Sequence, residues 1–422
     1  MCFVERYWQQ VNRRATGAPI AFWRKHLGSM FMHISGRIIA IALLAGISLP
    51  AFAQNDDKRE IVVTGRSLKD TENDLKACLA RGCPPDEDIK ATLAHAENLF
   101  VEGDYRIARE TLGKSLGRNR QHKGQYPIEV SDLLRANGNV AAHLGEVNSY
   151  RLSVLDMRDT LKGALKPDDY RVFGAEIEVA DSRLKLGYLE EAKDKYLQIE
   201  KQAMAKGLPF VSAIAKLREL SLLVQVADNQ KTAFAKKEAN DALDAFIANP
   251  TEGAGQYRLV AEVLKSRMDR LSGSTETTDK IIARYAALGG TERPMLIYAK
   301  PIEMNEAQTA RAAAGGSDLN RIGTQVVENR WVDIGFWIGA DGRVDEPEIL
   351  RSEGSTDWTD VVVKSIKSRI YAPLKAEKDG SSPGIYAVER FSITAGYEDA
   401  TTGTRIRKRS PVAKIERIDL TG

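Results

Sequence analysis

From Trp331 to Ile338 the chain alternates, with Val332, Ile334, Phe336 and Ile338 on one face and Trp331, Asp333 and Trp337 on the other. That is the period of a strand with one face against a core. Gly339-Ala340-Asp341-Gly342 is a tight-turn signal, so a hairpin is expected. The return strand carries Val344, Ile349 and Leu350, and Pro347 breaks its parity, which predicts a bulge or an edge position. Trp358, Val361, Val362, Ile366 and Ile370 then recur at helical spacing behind a candidate N-cap at Asp357, and Pro373 is expected to stop that helix. Ile385 to Thr394 reads as a closing strand. The order strand, strand, helix, strand predicts a small α+β module over 330–397. Its last strand is expected to be the exposed edge, because Tyr386, Arg390, Ser392 and Thr394 point outward and are largely polar. Together with Val388 they form the predicted partner-binding edge.

Residues 86–290 carry few strand signals and many helical ones. Leu99-Phe-Val-Glu-Gly-Asp-Tyr-Arg-Ile-Ala108 places Gly103 at a turn, Tyr105 opening the next helix and Ala108 at a close contact. Leu186-Gly187-Tyr-Leu-Glu-Glu-Ala192 repeats it, and Gly145 followed by Tyr150 lies between. Gly103, Gly145 and Gly187 are spaced by 42 residues, and the same step reaches Asn229 and then Leu271, each at or beside a turn signal. An apolar partner nine residues after the turn recurs as Leu112, Val154 and Tyr196. These motifs resemble the inter-helix turn of tetratricopeptide repeats, with longer helices. The predicted pairs span 87–118, 127–163, 168–206, 209–248 and 254–288, stacked as an α-solenoid with a concave surface suited to peptides or protein segments.

Ahead of the helices, Arg37, the apolar run Ile38 to Leu49, Pro50 and Ala51-Phe52-Ala53 read as an export signal starting at Met30 or Met32 and cleaved before Gln54. The run is short for a membrane span. The alternative is an uncleaved anchor, with membrane association through residues 37–53. Residues 1–29 read as a start-site extension. Export changes the meaning of Cys78 and Cys83. In an oxidising compartment a local disulfide is the natural reading, contributing about 2–3 kcal/mol for so short a loop. Free thiols and a metal or redox role are the alternatives. Residues 54–85 are expected to form a flexible leader, and Pro84-Pro85 stiffens its exit.

The C-terminal module resembles the C-terminal domain of the TonB energy-transducer family. The match lies in the F-x-I-x-x-D-G-x-V hairpin at Phe336 to Val344, Ser352 and Gly354 after it, Ile370-Tyr371 before Pro373, and the late glycine-aliphatic-aromatic strand. Glu60-Ile61-Val62-Val63-Thr64-Gly65 resembles the TonB box of outer-membrane TonB-dependent receptors, in the form used by sphingomonad-type bacteria. A short strand-former on a polar leader can add to a sheet edge. Ile61 to Val63 is expected to pair with the Ile385–Thr394 strand, within one molecule or between two, or to be offered to a genuine TonB. Otherwise it is a β-prone leader. A transducer needs a membrane anchor and a long Pro-rich span; this chain has 14 Pro and no Pro-rich tract.

Composition adds bounds. The 422 residues are 43% hydrophobic and 28% charged, and a net charge of +3 gives no case for nucleic acid. The five His include none in the module. Gly113-Lys-Ser115-Leu-Gly117 fits a nucleophile-elbow pattern, and Ser182-Arg-Leu-Lys185 fits S-x-x-K, but both fall inside predicted helices where that chemistry has no frame. No motif proposes a reaction, a cofactor or a metal. Residues 291–329 read as a linker, with a possible strand at Met295–Ala299 and a flexible joint at Gly315-Gly316-Ser317. Residues 398–422 read as a polar basic tail, either solvated or a surface-binding arm. The expectation is a mainly α, non-enzymatic periplasmic protein. Its partners would be proteins or peptides, TonB-dependent receptors or components of the TonB system. The rival readings are an envelope scaffold working through its helical-repeat groove and, if the signal is retained, an inner-membrane energy transducer.

Overall fold

The computed structural model describes residues 66–250, 255–302, 330–375, 384–399 and 407–421. The export signal, the start-site extension, the Glu60–Gly65 segment and the Gly315–Ser317 joint lie outside the described residues. Within them the chain is mostly helical, with a small antiparallel sheet region at its C-terminal end. No helix of the described residues is long and apolar enough to cross a membrane.

The helices run α1 (Leu68–Ala80), α2 (Pro85–Glu102), α3 (Tyr105–Asn119), α4 (Pro127–His143), α5 (Val147–Ala164), α6 (Tyr170–Lys185), α7 (Leu189–Ala205), α8 (Pro209–Gln230), α9 (Ala233–Ala248), α10 (Arg258–Leu271) and α11 (Glu276–Ala287). Helices α2, α4 and α8 each open on a proline in the first turn, where the missing N–H leaves no bond unmade. Three turns share one closing device. Gly103, Gly145 and Gly187 take φ of 90°, 75° and 85°, a left-handed conformation that costs a Cβ-bearing residue energy. The amide one residue later reaches back over five residues in each case, Asp104 to Leu99, Glu146 to Ala141 and Tyr188 to Arg183, at 2.8–2.9 Å. This satisfies carbonyls that the helix end leaves free. Neighbouring helices pack in sequence, and α2 also packs on α4, α6 on α8 and α8 on α10. Ala108 and Ala192, both fully buried, let facing helices approach after the turn, and the buried Leu112 and Tyr196 fill the space behind them.

Two expectations about the leader and the linker need correction. The leader of 54–85 was expected to be flexible, but its second half is helix α1, capped by Ser67 and packed along α2. Its polar sequence hides a narrow apolar side, Leu75 and Cys78, buried together with Thr71. The first residues of the expected linker belong to the module. Strand β1 (Leu296–Tyr298) pairs antiparallel with β4 (Ile370–Tyr371), and the Thr291 amide donates to Pro373. Ile370 therefore lies in a strand, and the helix expected to run up to it, α12, covers only Asp360–Lys367 and starts from Thr359 rather than Asp357.

The main sheet has four strands, β2 (Trp331–Ile338), β3 (Val344–Glu353), β5 (Ile385–Asp399) and β6 (Arg407–Asp419), in the order β3-β2-β5-β6. The predicted edge formed by Tyr386, Val388, Arg390, Ser392 and Thr394 is thus wrong. Strand β5 is paired on both sides, with β2 across its first half and with β6 from Glu389 onward. The expected solvated tail supplies the covering strand. Residues 407–419 form β6 because both faces of its described end meet partners of opposite charge, as set out below. One face of the sheet carries Val332, Ile334, Phe336, Ile338 and Phe391 against Trp358, Val362 and Ile366 of α12.

Cys78 and Cys83 are joined as a disulfide, with Cα atoms 5.2 Å apart. It bridges the end of α1 to the residue before Pro84-Pro85 and α2. Thiol labelling of the native protein without reductant is expected to leave both unmodified. Cys83→Ser should lower unfolding stability by about 2 kcal/mol in a denaturant titration.

Candidate interaction interface

The second face of the sheet does not meet solvent near Trp331. It packs on the turn between α2 and α3. Trp331 of β2 lies over Gly103: a Cβ built there would stand 2.5 Å from the indole Nε1, so both the φ and the contact demand glycine. The Arg390 guanidinium stacks on the Trp331 ring, 3.7 Å from its centroid. It donates to both carboxylate oxygens of Asp333, its cross-strand partner, at 2.6 and 2.9 Å. A third bond from Arg390 reaches the Phe100 carbonyl at the end of α2, at 3.1 Å. Arg390 and Asp333 are both essentially sequestered, at 0% and 1% exposure. Tyr105, opening α3, lies 3.3 Å from the Ser392 hydroxyl, and burial pushes its phenol above the usual range. Arg351 of β3 completes the cluster. It bonds Asp333 at 2.9 Å, Glu102 at 3.1 Å and the Val101 carbonyl at 3.4 Å.

Further along the sheet, Glu416 of β6 accepts from His143 at 3.2 Å and Lys185 at 2.9 Å. Burial works to raise the Glu416 pKa, but the His143 hydrogen bond and the Lys185 charge outweigh it, and the carboxyl titrates below its usual range. Val101, His143 and Lys185 are equivalent positions of the 42-residue period. Each stands at or next to the last residue of α2, α4 or α6. The sheet therefore lies along a row of helix ends that the sequence period sets at equal register. His143 also packs on the rings of Tyr105 and Phe100, with centroids at 4.2 and 5.2 Å, so the two ion-pair clusters share one aromatic wall. On the opposite face, Arg369 pairs with Glu389 at 2.7 Å and Arg417 of β6 reaches Glu389 at 3.2 Å. Glu416 and Arg417, adjacent on β6, thus tie it to the helices on one side and to the module core on the other.

The residues singled out from the sequence divide accordingly. Arg390, Ser392, Gly103 and the neighbouring Phe100 and Tyr105 meet at one place, as residues of an internal seam. Thr394 is buried along the same strand, while Val388 and Tyr386 remain half-buried near its start. Tyr386 packs against Trp337, with centroids 5.0 Å apart, and donates to Glu348 at 3.1 Å. Gly145 and Gly187 close the turns beyond His143 and Lys185. Glu416, His143 and Lys185 were missed; the signal that could have found the last two is their shared place in the 42-residue period. Ser115 lies in the interior of α3, buried and 3.5 Å from Asp88, and Ser182 donates to the Val179 carbonyl within α6. Neither has the strand-to-helix setting that a nucleophile elbow needs.

Among the described residues the outer side of β3 carries no paired strand. Ahead of it, Arg343 makes an isolated bridge to Ile370, and beyond that no described residue pairs with β3 on the side away from β2. Its first half is irregular, with Glu346 at φ 48°, Pro347, and a register shift opposite Gly335–Trp337. Its second half, Glu348–Glu353, exposes Ile349 and Leu350 at 44% and 43%.

Asp333→Asn removes the charge that balances a buried guanidinium. It is expected to destabilise the protein by about 3–5 kcal/mol in chemical denaturation. Trp331 fluorescence should then report release of the seam before the helices melt. Glu416 is expected to contribute stability that is present above its ordinary pKa of 4.5 and is lost as pH falls below it, because its folded value is depressed. Glu416→Gln should lower the melting temperature at neutral pH and flatten the fall of melting temperature between neutral pH and pH 3 relative to the wild type.

Comparison with known protein families and with curated proteins finds no match to this chain.

Proposed function

We propose that this chain is a non-enzymatic protein-binding protein of the bacterial envelope, exported to the periplasm, in which a tetratricopeptide-like helical stack carries a TonB C-terminal-like module. The single observation that carries the reading is the module itself: β2, β3, α12 and β5 follow in the order and with the hairpin that the Phe336–Val344 motif predicts, and among the described residues no strand pairs with the outer edge of β3. The solenoid reading is supported by the three left-handed glycines at a 42-residue spacing and by the contacts of α2 with α4, α6 with α8 and α8 with α10. The row of helix ends seats the sheet through buried ion pairs, which favours presentation of a partner surface by the two parts as one body over independent modules on a string.

Its partners are proteins or extended peptides of the envelope, components of TonB-dependent uptake. The experiment is chemical cross-linking in intact cells, followed by isolation of the periplasmic fraction and mass spectrometry of tagged protein. The expected outcome is a mature N-terminus at Gln54 and cross-links to a TonB-dependent receptor or to a TonB-system component. Retention in the inner membrane with the Ile38–Leu49 run intact would instead support an anchored transducer. A cleaved periplasmic protein linked to no envelope component overturns the proposal.

A further inference from the structure

The apolar core of the helical stack is divided at α6. Phe173, Ile177 and Ala180 of that helix belong to a core shared with α7–α10. Ala175 and Val179, with Leu186 at its end, belong to a second core shared with α2–α5. Charged side chains of α6 reach both ways. Glu178 pairs with Arg135 of α4 at 2.9 Å, and Asp181 with Arg218 of α8 at 3.4 Å. Glu176 stands between Arg158 of α5 at 3.6 Å and Lys195 of α7 at 2.8 Å. A close-packed core moves as one piece, whereas long Arg and Lys side chains can follow a small rotation and keep their partners. The module touches the stack on both sides of this line. On one side is the seam, with Trp331 over Gly103, Arg390 on the Phe100 carbonyl and Glu416 on His143. On the other side, Met295, Ile297 and Ala372 pack on Val263 of α10 and Ile281 of α11. The Arg270 guanidinium of α10 also lies 4.1 Å from the centroid of the Tyr298 ring. Lys185, the last residue of α6, holds Glu416 between the two.

We propose that the helical stack flexes at α6 and that the C-terminal module is the strap that sets its angle. This goes beyond the partner-binding function proposed above and does not depend on it. A strap must be one body, and the module is. Strand β4, which pairs with β1, is bonded to the β2–β3 hairpin as well. The Tyr371 amide donates to the Gly342 carbonyl and the Leu374 amide to the Ala340 carbonyl, both at 2.8 Å. Leu296, Tyr371 and Leu374 also share the module core with Val332 and Phe336. The two attachments differ in kind. The one on α10 and α11 is apolar and adjoins the point where the chain leaves α11, so it holds in either state. The seam is made of directional polar bonds and a ring contact, each lost within a small displacement, so it is the end that lets go. With the seam made, α2–α5 and α7–α11 are held at one angle, and the curvature of the stack is fixed by residues more than two hundred positions away in the chain. With it released, that angle follows the ion pairs of α6. Any molecule that binds better at one angle must then shift the seam, and the seam must change its affinity by the same factor.

The test is a distance measurement across α6 by pulsed electron spin resonance on the full chain. Spin labels are placed at Lys114→Cys on α3 and Lys237→Cys on α9, both exposed, in a Cys2→Ser background that keeps the Cys78–Cys83 disulfide. Two further substitutions weaken the seam from the stack side and leave the module core intact. Lys185→Glu sets a like charge against Glu416, and Gly103→Ala drives a Cβ into the Trp331 ring. The otherwise unaltered chain is expected to show one narrow distance. Each seam variant should shift and broaden it by about 5 Å, which a rotation of about 10° gives on an arm of three helix spacings. Lys185→Glu combined with Glu416→Lys should return the narrow distance, which damage to α6 would not allow. Gly103→Ala acts at the far end of the seam, so the test stands even if Lys185→Glu costs helix content. An unchanged distance in both seam variants overturns the proposal. So does a shift that the charge-exchanged pair fails to reverse. Neither outcome bears on the cross-linking result, so the two proposals fail separately.

Discussion

The ion pair between Asp333 and Arg390 is the constraint on which the rest of the arrangement depends. Two charges removed from water are held only if geometry and additional bonds satisfy them. Here the carboxylate takes two bonds from Arg390 and one from Arg351, and the guanidinium finds a helix-end carbonyl and an indole face. Those requirements fix the sheet against the α2–α3 turn to within hydrogen-bond tolerance. They also explain why Gly103 is both a helix terminator and a contact residue: the indole that shields Arg390 occupies the space a Cβ would take.

From that point the sheet is led along the helix ends. His143 and Lys185 hold Glu416, and Arg417 on the next position faces the module core, so β6 is clamped from two sides. Ile415 packs against the module core, and the strand is held besides by backbone pairing with β5 and by charges whose partners are already in place. The consequence is that the edge of β5 is closed by the chain itself, and among the described residues the outer strands of the sheet are β3 and β6.

The helical part meets the β1 segment through an apolar cluster of Val263, Ile281, Met295, Ile297 and Ala372, and meets the four-stranded sheet through polar and aromatic side chains. Interfaces of this composition depend on pH and on charge reversal more than the cores do. Burial works against the Glu416 charge, but His143 and Lys185 hold that carboxyl below its usual range, which makes it a pH-sensitive contact of this interface.

Much of the local structure was legible from the sequence. The alternation of Trp331–Ile338, the Gly339–Gly342 turn and the glycine spacing of 42 each report a backbone requirement that a few neighbouring residues satisfy among themselves. The hairpin, the helices and the turns at Gly103, Gly145 and Gly187 stand where those signals lie. What the sequence could not decide is which polar residues face water. Arg390, Ser392 and Thr394 have the pattern of a solvated strand face, yet all three are buried, and Arg390 and Ser392 meet Phe100 and Tyr105 nearly three hundred residues earlier. Residues 407–419 have the composition of a solvated tail and form a paired strand. The short apolar side of α1 was lost in a charged leader for the same reason. A charged side chain is placed by its partner, and when that partner is distant in the chain only the tertiary structure brings the two together.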